Sequence, residues 1–300
     1  MKYKKILITG GAGFIGSHMC DYLIKKKHHV IVLDNLIYGN RKNVNKKAYF
    51  IKGDILNKKL LNKACKNVDA VYHFAAMSRS GPSEMQIDLC LEQNLIGTKN
   101  VLEACRINKV KKLIFAGSAT YYGNLTGKFK ENSFGDLFNP YSLSKYMGER
   151  LCMFYNKKKI IKCNVLRYFN VYGKFQPSKG IYALVIGIFL DRKKRNKPLL
   201  IFGDGNQKRD FVHVYDVVEA NYKALMSNIH GEIFNVGYGK NHSINYISKL
   251  ISKNIKYTKA RKNEARETLA DIRKIKNKLL WKPSININKG IKDLMNFYNL

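Results

Sequence analysis

The sequence predicts an α/β protein, a doubly wound parallel sheet joined to a smaller mixed α/β lobe. Three observations predict it. Short β-rich runs recur at regular spacing through the first half, helical stretches separate them, and a glycine-rich turn directly follows the first run. The strand candidates are Lys5–Thr9, Val30–Asp34, Tyr49–Lys52, Ala70–Phe74, Leu113–Ala116 and Asn164–Tyr168. They are mostly apolar on both faces, as strands buried inside a parallel sheet must be. Ser17–Lys27 and Glu92–Asn108 read as helices between them, and one more strand, Ile233–Val236, arrives late. The rest of the C-terminal sequence is more polar and less regular. The expected division is 1–173 as the sheet domain, with 210–239 returning to it, and 174–209 with 240–300 as the smaller lobe. No repeat or low-complexity linker separates these parts. They are expected to share a cleft, where an α/β fold normally binds its ligand.

Composition excludes several classes of protein. A chain of 300 residues with 45% apolar content can bury a sizeable core. Its 55 basic and 21 acidic residues give a net charge of +34, but the lysines are scattered through nearly every segment. The densest run, Arg192 to Lys197, precedes Pro198 without aromatic interleaving and reads as a solvated helix end, so no nucleic-acid partner is expected. Lys25–Lys27 and Lys157–Lys159 also sit where helix ends are expected, and cations there suit the macrodipole. The six cysteines, at 20, 65, 90, 105, 152 and 163, show no metal spacing and read as buried reduced thiols. No metal is expected. No apolar run approaches the roughly 18 residues a membrane span needs. The apolar start Ile6–Ile8 is interrupted by Gly10-Gly11, unlike a signal peptide, so the expected location is cytoplasmic.

The turn Thr9-Gly10-Gly11-Ala12-Gly13-Phe14-Ile15-Gly16 carries the first chemical signal. Gly10, Gly13 and Gly16 permit a tight turn, close approach of a pyrophosphate and intimate strand–helix packing. Phe14 and Ile15 belong to the same turn and are expected at the cofactor, just ahead of the helix whose first amides would meet the phosphate charge. This is a Rossmann-type dinucleotide site by pattern. Asp34, followed by Asn35, ends the second strand, where a carboxylate accepts bonds from ribose hydroxyls and repels a 2′-phosphate. The cofactor expected is NAD, with nearby Arg41 the one group that would suit NADP. Asp54 and Ile55 follow the third strand, where a carboxylate could meet the adenine amino group. Phe74, Ala75 and Ala76 end the fourth and let the cofactor approach the backbone.

The second signal is Asn139-Pro140-Tyr141-Ser142-Leu143-Ser144-Lys145. Asn139 can cap a helix with Pro140 in its first turn. Tyr141 and Lys145 then project from one face. The ammonium favours the phenolate, producing a base that can take a proton from a sugar hydroxyl. Ser118 ends the fifth strand, pointing its hydroxyl towards the same cleft.

At these residues the chain resembles the extended short-chain dehydrogenase/reductases, specifically the nucleotide-sugar epimerase/dehydratase group that includes the UDP-glucose 4-epimerases. The likeness covers nearly the whole chain. It includes Gly10–Gly16, Asn94 in Gln93–Thr98, Ser118, Tyr141 with Lys145, Arg167–Gly173 with Tyr168, Gly203–Phe211, Phe234–Gly237, Thr268–Asp271 and Trp281-Lys282-Pro283. The resemblance implies an NAD-dependent isomerase in carbohydrate metabolism, serving polysaccharide biosynthesis, with a smaller lobe that binds the nucleotide sugar. It also implies a homodimer built on a helix bundle. Asn94 and Tyr168 are implied cofactor contacts. Asn170 and Arg209 are implied for the diphosphate, Arg261 and Glu264 near the nucleoside, and Phe202 at the base. Arg261-Lys262-Asn263-Glu264 departs from the family's Arg-Pro-Gly-Glu. Thr268 falls at the family's gatekeeper position, where a small residue admits N-acetylhexosamines. After the catalytic hydroxyl, the group's 4,6-dehydratases carry Asp-Glu and its decarboxylases place Glu second. This chain has Ala119 and Thr120. The reading is a 4-epimerase acting on a UDP-hexose or UDP-N-acetylhexosamine through a transient 4-keto sugar. The alternatives are another epimerase or a reductase of the same group, or a non-catalytic NAD-binding regulatory protein.

Overall fold

A computed structural model of the chain describes residues 2–78, 80–180, 183–260 and 265–300. The strands in chain order are β1 (Lys5–Thr9), β2 (His29–Asp34), β3 (Tyr49–Lys52), β4 (Ala70–His73), β5 (Lys112–Ser118), β6 (Lys162–Tyr168), β7 (Asn170–Tyr172), β8 (Leu199–Phe202), β9 (Lys208–His213), β10 (Glu232–Val236), β11 (Asn241–Ser243) and β12 (Ile255–Thr258). The helices are α1 (Phe14–Lys25), α2 (Lys58–Cys65), α3 (Ser80–Met85), α4 (Ile87–Leu91), α5 (Gly97–Ile107), α6 (Pro140–Lys157), α7 (Val185–Lys194), α8 (Val214–Met226), α9 (Ile244–Ile251), α10 (Arg273–Leu279) and α11 (Ile287–Tyr298). A π turn, Glu92–Ile96, joins α4 to α5.

Seven strands form one sheet in the order β10-β6-β5-β4-β1-β2-β3. The pairs β1–β2, β1–β4, β2–β3 and β4–β5 are all parallel. Every residue of β4 and β5 is buried, which explains the apolar runs Ala70–Tyr72 and Leu113–Ala116 within them. The order reverses on either side of β1, so the carboxyl ends of β1 and β4 border the switch point where such sheets bind ligands.

Each expected strand is present, while two helix boundaries differ from expectation. The helix expected over Ser17–Lys27 runs Phe14–Lys25. Gly13 is its N-cap, and Gly16 lies inside it because a Cβ there would stand 2.2 Å from the Gly10 carbonyl oxygen. It stops early because Lys27 adopts φ 65°. The helix expected over Glu92–Asn108 starts as the π turn. Gly97 follows the turn because a Cβ there would lie 2.4 Å from Ile55 Cδ1.

The chain divides into two compact units. The first comprises Met1–Ser118, Asn139–Arg167 and Val218–Phe234, and the second Ala119–Phe138, Tyr168–Val217 and Asn235–Leu300. The first unit's core packs Leu7, Leu33, Val71, Leu113 and Val165 against Leu102, Cys105 and Cys152 from the helices. Lys112 is buried at the start of β5. Its ammonium donates to the carbonyls of Ala224, Ser227 and Ile229 at 2.7, 3.0 and 2.8 Å, closing the end of α8. Burial pushes its pKa down to about 7, yet three carbonyl acceptors need all three protons of an ammonium.

The second unit contains the sheets β11-β9-β7 and β12-β8, over a core of Phe189, Leu199, Ile201, Phe211, Ile247 and Leu294. Buried Trp281 donates to the Asp216 carbonyl at 3.0 Å, and the Asp216 carboxylate accepts from Ser284 and Ile285. The basic run at 192–197 covers the last turn of α7 and the residues just after it. Arg192 donates to the Pro198 carbonyl, Lys193 to that of Ile251, and Arg195 pairs with Asp191. All six cysteines are free and buried. Among the described residues no helix is long and apolar enough to cross a membrane.

Candidate active site

The glycine-rich turn bends around the end of β4. Gly10 has φ +73°, and a Cβ on it would come within 2.6 Å of the Ala75 amide nitrogen and 2.8 Å of its Cα. Only glycine permits both the left-handed backbone and this approach. Gly13 N-caps α1 with no side-chain bond and no acidic residue in the first turn, leaving the amides of Phe14 and Ile15 facing an uncapped helix start. Such an end attracts phosphate.

Asp34 is buried at the end of β2. Its carboxylate accepts from the amides of Ala12 at 2.9 Å and Leu36 at 2.8 Å, so it braces the glycine turn. Burial raises its pKa, while the two amide donors pull the other way. Each oxygen retains a lone pair for a second donor. Asn35 donates to Asp54 at 2.7 Å, and Asp54 also accepts from the Leu56 amide and from Gln93. Ile55 is buried, Phe74 stacks on Tyr72, and Ala75 and Ala76 are half-buried beside Gly10. The Arg41 guanidinium lies 4.5 Å from the Phe50 ring centroid and donates to the Val44 carbonyl. The turn and the ends of β2, β3 and β4 are thus one connected structure, and its glycine cradle fits a dinucleotide.

Helix α6 begins with a capping box: Asn139 accepts from the Ser142 amide at 2.9 Å, Ser142 answers the Asn139 amide, and Pro140 occupies the first turn. This fixes the start of the helix, and Tyr141 and Lys145 follow on one face. The Tyr141 amide donates to Ser83 on α3 at 3.1 Å. Tyr141 is half-buried, whereas Lys145 is only 3% exposed, its ammonium 4.1 Å from the Phe115 ring centroid. Burial lowers the Lys145 pKa to about 8. Ser118 is the last residue of β5 and is buried.

Two features of this region escaped the sequence reading. One turn beyond Lys145, Glu149 is fully buried and accepts two 2.8 Å bonds from Arg167 on β6, which is itself 3% exposed. The signal available was the spacing Tyr141, Lys145, Glu149, with an arginine inside an apolar strand. The other is Asn94. Its side chain accepts from the Met77 amide at 2.7 Å and donates to the Met77 carbonyl and Ser144 Oγ, both at 2.9 Å. Ser144 in turn donates to the Tyr141 carbonyl. Asn94 therefore ties the segment after β4 to α6.

The second unit gathers the other predicted residues. Asn170 donates to Thr268 Oγ1 at 3.2 Å and to the Asp210 carbonyl at 3.3 Å, and Thr268 Oγ1 also accepts from the Asp210 amide. Arg209 lies on β9 in register with His242. The Asp210 carboxylate accepts three backbone amides, from Tyr238, Gly239 and Ala270. Phe202 ends β8, its carbonyl accepting from Gln207. Tyr168 ends β6 and is buried. Arg261 and Glu264 lie outside the described residues.

A family model described as the NAD dependent epimerase/dehydratase family matches residues 6–237. The chain is 42% identical over 301 residues to a Methanocaldococcus jannaschii protein provisionally named UDP-glucose 4-epimerase, covering 97% of both chains. It is 32% identical to a UDP-N-acetyl-alpha-D-glucosaminuronate decarboxylase of Bacillus cytotoxicus, covering 98% of both. The crystal structure of a Thermotoga maritima UDP-glucose 4-epimerase with UDP-glucose superposes with a TM-score of 0.94 at 35% identity, again covering 98% of each chain. Together with the glycine cradle and the Tyr141–Lys145 helix, these matches make the chain a member of the NAD dependent epimerase/dehydratase family, an enzyme whose cofactor is NAD.

Proposed function

We propose that the protein is a nucleotide-sugar 4-epimerase acting on a UDP-hexose or a UDP-N-acetylhexosamine. What carries the reading is the placing of Tyr141 one helical turn before a buried lysine, Lys145, on a helix whose start is fixed by its own capping box. A desolvated cation beside a phenol stabilises the phenolate far more than it would in water. Gly10, Gly13 and Gly16 would hold the pyrophosphate, with Asp34 on the ribose and Asp54 towards the adenine. NAD, when bound, supplies a hydride acceptor and then a hydride donor. Tyr141 takes the proton of the 4-hydroxyl as C4 is oxidised to a ketone, and returns it as the opposite face of C4 is reduced. Ser118 would share a hydrogen bond with the same hydroxyl. Asn170 and Arg209 would hold the diphosphate, Arg209 through its planar donors. Arg261, Glu264 and Phe202 would serve the nucleoside, and Tyr168 the cofactor. Sugar oxidation and reduction cancel, so no net reductant is consumed.

Ala119 and Thr120 favour epimerisation over decarboxylation or dehydration, because neither side chain can act as the carboxylate acid or base those reactions use. Thr268, a small residue with its hydroxyl already accepting from Asn170 and Asp210, supports a pocket with room for a 2-acetamido group. We place the enzyme in the cytoplasm, in keeping with six free thiols, and assign its product to polysaccharide synthesis. Leu143, Met147 and Phe154 form an exposed apolar stripe on α6, and Ile96 and Ile107 are exposed on the neighbouring segment. This stripe supports a homodimer. Met147→Glu should convert it to a monomer in sedimentation experiments.

The test is incubation with UDP-, GDP- and dTDP-hexoses and N-acetylhexosamines without added NADH, followed by NMR identification of products. Interconversion of 4-epimers supports the reading. Protein that carries NAD but leaves every sugar unchanged would make it a binding protein instead.

A further inference from the structure

His73 is a buried titratable residue to which the reaction assigns no task. It ends β4 at 1% exposure, in register with Thr9 of β1. Its Nδ1 lies 2.7 Å from Thr9 Oγ1 and its Nε2 2.9 Å from Thr98 Oγ1. The Thr98 hydroxyl donates to the Asn94 carbonyl at 2.5 Å, so its oxygen must accept from His73 Nε2–H. Nδ1 is then bare and accepts from the Thr9 hydroxyl, whose oxygen takes the Ala75 amide at 3.4 Å. Every proton in the chain has one place to go, and it fixes a neutral imidazole in one tautomer. Burial first, and then the nearby Lys145 ammonium, hold it neutral, and both groups lie against the Phe115 ring.

The far end of the chain is the π turn, the least regular part of the α4–α5 segment. A π turn is costly in isolation and is a common feature of functional sites. Here it is what turns Asn94 towards Met77 and Ser144, and Ser144 towards the Tyr141 carbonyl.

We propose that His73 is a positioning residue: with Thr9 and Thr98 it forms a buried hydrogen-bond relay that pins the π turn, and through Asn94 couples the glycine-rich turn to the helix bearing Tyr141 and Lys145. The relay deepens the epimerase reading by naming what sets the geometry of its base. Its own existence does not depend on which sugar is turned over.

The relay is tested by nitrogen NMR of His73 in the holoenzyme, hydrogen exchange, and kinetics of paired variants. The imidazole should remain the neutral Nε2–H tautomer from pH 5 to 8. Thr98→Val removes the hydroxyl. It should speed exchange of the Gly97 amide, which bonds the Glu92 carbonyl across the π turn, about tenfold, leaving amides of β2 unchanged. The same variant should lower kcat about tenfold with sugar KM within about twofold. Thr98→Ser restores the hydroxyl and should recover both. His73→Gln, which keeps a donor near the Nε2 position, should recover more of the rate than His73→Asn, which does not. An Nδ1–H tautomer, or titration near the ordinary histidine pKa, overturns the proposal. So does unchanged Gly97 exchange in Thr98→Val, or a fall in thermal stability with kcat intact. Should no sugar be turned over by the wild type, the epimerase reading fails, while the NMR and exchange results still decide the relay. If Thr98→Val does not fold, Thr98→Ser against His73→Asn decides it.

Discussion

Replacing Glu149 with glutamine should destabilise the fold by about 3–5 kcal/mol, the range for removing one partner of a buried ion pair. Glu149 is fully buried, and the Arg167 guanidinium that bonds both its oxygens is 3% exposed. Arg150 also reaches Glu149 at 2.7 Å but is 47% exposed, so water can replace that contact and it adds little. Glutamine keeps one acceptor oxygen but turns an NH2 towards the guanidinium, depriving a buried cation, out of water's reach, of the Glu149 charge. A double variant, Glu149→Leu with Arg167→Met, removes the stranded cation along with its partner. It should lose less than about 2 kcal/mol, because desolvation nearly offsets what the pair contributes. Urea titration followed by far-UV circular dichroism measures both, and the midpoints should move without a change in slope. A single variant that loses under about 1 kcal/mol, or a double variant as unstable as the two singles summed, would refute the reasoning.

Gly10→Ala should purify without bound NAD, read from its absorbance ratio, because the added Cβ meets the Ala75 backbone at a φ of +73°; normal NAD content would show that the turn can move aside. Lys112→Met leaves three carbonyls at the end of α8 without their donor and should lose about 2–4 kcal/mol in the same urea titration. Acid should destabilise the wild type through His73, whose pKa is lowered to about 3 chiefly by burial and also by Lys145. Below its ordinary value near 6.5 the unfolded chain binds a proton that the folded chain refuses, so stability falls as pH drops from 6.5 towards 3. Between pH 7.5 and 5.0 this amounts to roughly 2 kcal/mol. His73→Gln should flatten the profile by that amount. The contributions that remain include those of His28 and His242, whose pKa values burial lowers, and an opposing one from Asp210, whose carboxyl burial pushes up to about 6 and which therefore gains stability as the pH falls through that value.

Much of the first unit was legible because burial on both faces of a parallel strand forces an apolar run that few other structures produce. The runs Ala70–Phe74 and Leu113–Ala116 announce β4 and β5 that way, although the polar ends of β5 at Lys112 and Ser118 do not. The small strands of the second unit do not. Asn170–Tyr172 and Asn241–Ser243 are three residues each, and Asn-His-Ser has no apolar character. They exist because β9 offers a hydrogen-bonding edge on each side, a tertiary fact absent from the local pattern. The helix start at Phe14 was misplaced because glycines oppose helices, whereas here close packing against Gly10 requires one inside the first turn. The chemically reactive residues stood out by type and spacing. Their supports did not. Nothing in the sequence says that Asn94 bridges Met77 and Ser144, or that a hydroxyl of Thr98 and an imidazole of His73 hold the turn between them, since each bond joins segments far apart in the chain.

The central claim is that C4 of the sugar is oxidised and then reduced by the same hydride, with Tyr141 carrying the proton. A UDP-sugar substrate deuterated at C4, turned over in ordinary water, tests it directly. Both epimers should carry the full label at C4, and Tyr141→Phe should abolish their interconversion with NAD still bound. Loss of the deuterium to water, or unchanged turnover by Tyr141→Phe, would contradict the account.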